Sequence, residues 1–335
     1  MTEALTVRGP ALDGASLTPR ELAAAARSGT AVASLTEAAE ERMRAALPLK
    51  WSLIEQGIPI YGVTTGFGDS CIRQIGADKA HELQRNLVLY HLNGTGPIAA
   101  PEVARATMMI RANSVSRGTS AIRPEVARML LEHLKHDILP RIPERGSLGA
   151  SGDLVPLCYV AAALIGEGDV THRGETRTAL DALLDEGLDP VLLEPKEGLA
   201  LINGTSFTAG YAVMALWDSR EIAVAAELAT AMTVEALLGN ASAFHPFIHA
   251  NKPHPGQVTS AAAVRTLLAG SQLATSFEDI LIRRERIGDS GYVQLAEANR
   301  IQDKYSVRCA PQIIGILRDT VDWADSWVET EINSS

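Results

Sequence analysis

The sequence predicts an all-α fold, a large helical body with long bundle-forming helices and a Gly-rich loop set among them. Three observations carry this expectation. Apolar residues recur at three and four spacing along most of the chain, period-two alternation is almost missing, and helix-start signals stand ahead of the apolar runs. The first start is Thr18-Pro19-Arg20-Glu21, a capping Thr with Pro at the first helical position and an acid three residues on. Amphipathic stretches follow at 35–56, 77–92, 101–115 and 124–136, several opening on proline. Thr205 to Leu238 is about nine turns at 3.6 residues each, the length of a core pillar. Ser306 to Glu331 is the last helical run, and the Pro/His stretch Phe244 to Gln257 reads as a long loop. Gly-rich interruptions at 61–70, 93–97, 145–153 and 201–205 are the places where such a scaffold positions chemistry.

Composition narrows the function classes. Of 335 residues, 46% are apolar and only 4% aromatic, so Ala, Leu, Ile and Val must fill the core, and disordered or collagen-like classes are excluded. Thirty basic residues against 40 acidic give a net charge of -10, which argues against nucleic acid as a partner. Cys71, Cys158 and Cys309 form neither a disulfide framework nor a metal pair, an expectation of a reducing cytoplasm. No apolar run approaches the roughly 18 residues of a membrane span, and the first residues lack a signal-peptide pattern, so membrane and export are not expected. The glycines near Phe67 and Gly96 follow no strand, so a nucleotide-binding loop fails. His245, His249 and His254 sit among Pro246, Pro253 and Pro255, which spoil the helix that would align two imidazoles, and no metal is expected there.

The segment Gly146-Ser147-Leu148-Gly149-Ala150-Ser151-Gly152-Asp153-Leu154 sets a serine between two small residues in a Gly-rich turn. In a compressed turn the Gly152 amide nitrogen can approach the Ala150 carbonyl carbon, because neither residue has bulk to block it. Cyclisation with loss of two waters would give a methylidene imidazolone, an electrophile that no unmodified side chain supplies. An isolated Ala-Ser-Gly is ordinarily a loop that caps the next helix through Ser151 or Asp153. The context is what sets this one apart.

Four motifs together make the chain resemble the aromatic amino acid ammonia-lyases and related aminomutases. They are Tyr61 to Gly68 (YGVTTGFG), Gly146 to Leu157 (GSLGASGDLVPL), Leu199 to Thr205 (LALINGT) and Gln302 to Gln312 (QDKYSVRCAPQ), in the family's order and spacing. The resemblance implies a cofactor built from Ala150, Ser151 and Gly152, with no metal and no nucleotide. It implies that Tyr61 removes the substrate's β-proton, a task for a phenol whose ordinary pKa is about 10. It implies that Arg308 grips the amino acid carboxylate, which a guanidinium fork suits. Tyr305, three residues earlier and on the same helical face, is placed beside the cofactor, and Asn203 on the cofactor and the substrate amine. Gln302 and Gly68 match flanking pocket positions. The resemblance also divides the chain into a cofactor-forming region, 1–200, and the first part of a central helical bundle, 201–335. The family pattern continues beyond Ser335 into further helices, and its active sites are shared within a homotetramer.

Substrate choice in the family tracks the pair that is here Tyr90-His91. Phenylalanine-selective members resemble Phe-Leu there, tyrosine lyases His-Leu, and histidine lyases and some tyrosine aminomutases Ser-His. An imidazole at 91 can address a polar ring tip, and Tyr90 adds an aromatic wall. Thr64 and Ser206 stand where histidine lyases resemble Asn and Gln. These positions together set the expectation of ammonia elimination from tyrosine or phenylalanine. The alternatives are a 2,3-aminomutase, a histidine ammonia-lyase, and a catalytically silent protein that uses the fold for association.

Overall fold

The computed structural model describes residues 8–29, 32–76, 79–276, 278–279 and 301–335. Helix α1 (Pro19–Ser28) begins with the expected capping box: Glu21 N–H donates to Thr18 Oγ1 at 3.2 Å and the Thr18 N–H donates back to the Glu21 carboxylate at 3.2 Å. Helix α2 (Glu37–Glu55) is capped by Thr36. Then come α3 (Ala80–Tyr90), α4 (Pro101–Val115) and α5 (Pro124–Lys135), the last two opening on proline at the first helical position. Helix α4 is buried on all faces from Thr107 to Val115 and packs against α1 and α5, so it is the spine of this part of the molecule. Helix α6 (Leu154–Leu164) emerges from the Gly-rich loop, α7 (Ala179–Asp185) follows, and α8 (Glu197–Ile202) packs on both α3 and α6. Helix α9 (Ser206–Ala236) is the expected pillar of 31 residues. The stretch 197–236 is apolar enough by composition to cross a membrane, but half of its apolar window is buried within the protein, as in a core helix.

Short strands decorate this helical body. Strands β1 (Arg8–Leu12) and β2 (Val32–Leu35) pair in parallel, β3 (Thr95–Ile98) pairs antiparallel with β5 (Pro143–Arg145), and β4 (Ile138–Pro140), β6 (Asp169–His172) and β7 (Glu175–Thr178) form an antiparallel sheet. At three to five residues each, they are too short to register as alternation in the sequence.

Two compact units are present, one holding the chain up to Ala215 together with Ser326–Ser335, the other Leu216–Asp325. In the second, Phe244 and Val234 are fully buried in a core with Ala231, Val264, Leu268 and Val307. The expected loop at 244–257 is instead two helices, α10 (Pro246–Ala250) and α11 (Pro255–Leu267). Each starts on a proline, whose fixed φ and missing N–H suit the first helical position, and His245 Nδ1 accepts the Phe247 N–H at 3.2 Å. The last run breaks at Cys309 into α12 (Tyr305–Arg308) and α13 (Ala310–Ile332).

One buried ion pair fixes the approach to α8. Glu197 is fully buried and receives Arg123 in a fork, Nε at 2.9 Å and Nη2 at 2.7 Å, as well as the Glu194 N–H at 2.8 Å. Lys50, 4% exposed, reaches the Pro195 carbonyl at 3.4 Å and Glu194 at 3.7 Å, and burial pushes its pKa down. Removing one partner of such a pair strands the other charge. Glu197→Ala should therefore lower the unfolding free energy by about 3 kcal/mol in a urea titration. Lys135→Ala, which removes an exposed i,i+3 pair with Glu132, should leave the midpoint where it was. Equal midpoints for both variants would contradict this.

Candidate active site

The loop after β5 tightens into a 3-10 turn at Gly149–Ser151, closed by Ser151 N–H to the Leu148 carbonyl at 2.8 Å and Gly152 N–H to the Gly149 carbonyl at 3.1 Å. Gly152 has φ +91, and a Cβ there would stand 3.0 Å from the Gly204 oxygen and 3.1 Å from the Gly204 nitrogen. Only glycine meets both demands. Ala150 and Ser151 are exposed, whereas Gly152 and Asp153 are buried, so the turn presents the serine and hides its hinge.

Asp153 does not cap its own helix. Its Oδ2 accepts the Thr208 N–H at 2.7 Å, in the first turn of α9, while Oδ1 accepts the Thr208 hydroxyl at 2.7 Å and the Ser147 hydroxyl at 2.6 Å. Its own N–H donates to the Gly204 carbonyl at 2.6 Å. From the facing turn, Asn203 Nδ2 donates to the Ser151 carbonyl oxygen at 2.8 Å. The loop 146–153 and the turn 203–208 are thus laced together by side chain and backbone, with the Ala-Ser-Gly tripeptide at the seam. Asn203 does not cap the long helix.

Tyr61 is 54% exposed, its ring set edge-on to Phe67 at 6.1 Å, and its hydroxyl oxygen accepts the Gly68 N–H at 3.0 Å. That bond orients the phenol and leaves its proton for another acceptor. Tyr90 ends α3 and lies over the His91 ring at 4.5 Å. Burial, reinforced by the neighbouring Cys158 and Tyr61, pushes the Tyr90 pKa up, so it stands as a neutral phenol. Tyr90 also lines a cleft of about 610 Å³ with Phe67, Leu83, Arg73 and Lys79. His91 Nδ1 lies 2.8 Å from the Leu87 carbonyl; a carbonyl can only accept, so Nδ1 carries the proton and Nε2 is an acceptor in the neutral ring.

In the second unit, Gln302 and Arg308 line one cavity of about 180 Å³ with Asn240, Asp303 and Gln312. The Arg308 guanidinium lies 4.1 Å above the Tyr305 ring, the shared face their spacing predicts. His245 and His249 have other work: the first caps α10, and the second, 2% exposed, meets the Ala243 carbonyl at 3.1 Å and the Gln257 amide at 3.0 Å. Two residues escaped the sequence reasoning. Thr208 holds Asp153 together with Gly204 of the LALINGT motif, and Arg111 packs behind Gly204; Thr208 and Arg111 meet Asp153 and Asn203 across tens of residues, and no local pattern marks them.

A sequence model of the family described as aromatic amino acid lyase matches residues 17–335. Histidine ammonia-lyase from Streptomyces griseus is 42% identical over 319 residues, covering 95% of this chain and 59% of the relative, and that from Anaeromyxobacter sp. (strain K) is 40% identical over 332 residues, covering 97% and 62%. A tyrosine ammonia-lyase from Cupriavidus metallidurans is 40% identical over 327 residues, covering 97% and 61%. Among solved structures, tyrosine aminomutase from Streptomyces globisporus superposes with a TM-score of 0.88 at 35% identity, covering 97% of this chain and 61% of that one. The chain thus spans about three fifths of the length of the relatives it matches.

These relatives overturn the expected preference for tyrosine or phenylalanine, because histidine ammonia-lyases predominate among the curated relatives. Thr64, weighed against histidine, is buried, and its hydroxyl is consumed by its own loop, accepting the Ile60 N–H at 2.7 Å and donating to the Ile58 carbonyl at 2.9 Å. Ser206 is likewise buried at the start of α9. With the family model matching from residue 17 to the last residue and relatives about 40% identical along nearly all of the sequence, the chain belongs to the aromatic amino acid lyase family.

Proposed function

We propose that the protein eliminates ammonia from L-histidine, giving the imidazole acrylate, by means of a methylidene imidazolone formed from Ala150, Ser151 and Gly152. The observation that carries the chemistry is the 2.8 Å hydrogen bond from Asn203 Nδ2 to the Ser151 carbonyl oxygen, the atom that would become the ring carbonyl. The residues present fit the group: the turn is compact, Gly152 sits at a φ open to glycine, and it packs against the Gly204 backbone and the Asn203 amide, where a Cβ would find no room. Once formed, the group supplies an electrophilic carbon at Ser151 Cβ.

The remaining roles belong to unmodified side chains. Asn203 places a donor where negative charge gathers on the Ser151 oxygen. Tyr61 takes the β-proton, its oxygen oriented by Gly68. Arg308, held over Tyr305, offers a fork to the substrate carboxylate, with Gln302 beside it. His91 presents Nε2 as an acceptor, which suits an imidazole N–H and leaves an unsubstituted phenyl ring unaddressed. The names of the histidine ammonia-lyase relatives support the same substrate. A 2,3-aminomutase, which returns the ammonia to the acrylate, is the second reading, favoured by the likeness to tyrosine aminomutase. We read the working form as a cytoplasmic homo-oligomer, in keeping with the family resemblance and the three unpaired cysteines.

Two outcomes follow. The peptide that contains Ala150-Ser151-Gly152 should be lighter than its sequence by two waters on mass measurement, and Ser151→Ala should restore the plain mass; an unmodified wild-type peptide contradicts the reading. In steady-state assays histidine should be consumed faster than tyrosine or phenylalanine, and His91→Leu should lower kcat/KM for histidine by about tenfold, because the ring N–H loses its acceptor. A β-amino acid as main product would select the aminomutase, and a rate unmoved by His91→Leu would remove His91 from the pocket.

A further inference from the structure

A positive charge stands behind the turn that grips the tripeptide, and the chemistry above gives it no task. Arg111, on the buried helix α4, is 3% exposed. Its Nη2 donates to Ser114 Oγ at 2.9 Å, its Nη1 reaches the Asn203 backbone carbonyl at 3.4 Å, and its Nε has no hydrogen-bond partner among the described residues. No carboxylate pairs with it among those residues. Burial draws its pKa down to about 10, so it stays protonated at neutral pH. The guanidinium packs so close to Gly204 that a Cβ at that position would overlap Nη1. Gly204 in turn accepts the Asp153 N–H and faces Gly152, and Asn203 holds the Ser151 carbonyl. A desolvated, unpaired cation is costly to keep, so its place one peptide away from the tripeptide calls for a compensating role.

We propose that Arg111 is a positioning residue for closure of the Ala150-Ser151-Gly152 ring: it fixes the Asn203–Gly204 peptide against the tripeptide and supplies positive potential to the negative charge that closure places on the Ala150 and Ser151 carbonyl oxygens. This rests on the reading of the tripeptide as a ring precursor. In the step, the Gly152 nitrogen loses its proton and bonds to the Ala150 carbonyl carbon, whose oxygen takes up negative charge and then a proton. That hydroxyl leaves with the Ser151 N–H hydrogen as one water, giving the carbon–nitrogen double bond. Ser151 then loses its Hα and its hydroxyl as the second water, and the electron pair released at Cα passes through the charge on the Ser151 oxygen. No oxidant or co-reactant is needed. The Arg111 guanidinium is itself buried, and it acts through the Asn203–Gly204 peptide it holds, whose Asn203 side chain already meets the Ser151 oxygen, so its charge is screened less than that of a surface cation.

The test follows ring closure rather than turnover. Wild type, Arg111→Gln and Arg111→Lys are made by cell-free synthesis, sampled over time, and the mass of the peptide holding residues 150–152 is read, with thermal unfolding of each product measured alongside. The wild type should lose two waters, folded Arg111→Gln should close at least about tenfold more slowly, and Arg111→Lys, which keeps the charge, should return close to the wild-type rate. Folded Arg111→Gln closing as fast as wild type overturns the inference while leaving the tripeptide reading intact. Folded Arg111→Lys closing as slowly as Arg111→Gln overturns the role of charge. If Arg111→Gln does not fold, Arg111→Lys decides alone: closure near the wild-type rate supports the role, and lost closure in a folded product overturns it. A wild type that keeps both waters overturns the tripeptide reading, and the inference with it.

Discussion

The Asp153 carboxylate joins two helix starts. It begins α6, yet it spends its oxygens on the first turn of α9 and on Ser147, so a fully buried acid is compensated by two hydroxyls, one backbone N–H and the positive end of a 31-residue helix. The Ala-Ser-Gly turn and the Asn203 side chain hang from that arrangement. Because Asp153 is fixed, Gly152 is held against Gly204; because the turn 203–205 is fixed by the same bonds, Asn203 meets the Ser151 carbonyl. The exposed half of the loop, Ala150 and Ser151, is therefore presented from a rigid base, the condition for a group that must sit in one geometry to react.

The rest of the first unit is organised to hold that seam in place. Helix α4 runs buried beneath it and carries Arg111 to the back of Gly204. The Arg123–Glu197 pair, with Lys50 beside it, sets the start of α8, and α8 ends at Asn203, so a buried ion pair one helix away governs where the amide donor stands. Long-range packing of this kind is how a helical body places polar groups without a sheet edge to line up against. It also explains why small residues are so frequent at the seam: Gly152 and Gly204 admit contacts that a single methyl group would block.

Local signals proved the legible ones. The capping box at Thr18, the prolines that open α4 and α5 and the length of α9 were all readable, since each is decided within a few residues of chain. Prolines at 246 and 255 misled because the same residue that breaks a helix inside also begins one, and the sequence alone favoured breakage at 244–257. The tripeptide was visible through its flanking motif. Its support was not: Asp153 looks like the cap of its own helix and serves another, and nothing near Arg111 announces a partner at Asn203. Thr64 stands at a position that bears on the substrate ring in the family resemblance, but its hydroxyl bonds its own loop, and side-chain orientation of that kind is settled only by the fold.

The central claim is that the turn 203–204 holds residues 150–152 in the geometry of a closed ring. The most direct measurement is a high-resolution crystal structure refined without restraints between Ala150 and Gly152. The account predicts continuous density joining the Gly152 nitrogen to the Ala150 carbonyl carbon at a bonded length of about 1.4 Å, with the Asn203 amide on the Ser151 carbonyl oxygen. An open peptide at those residues, or an Asn203 side chain turned away from Ser151, would contradict it.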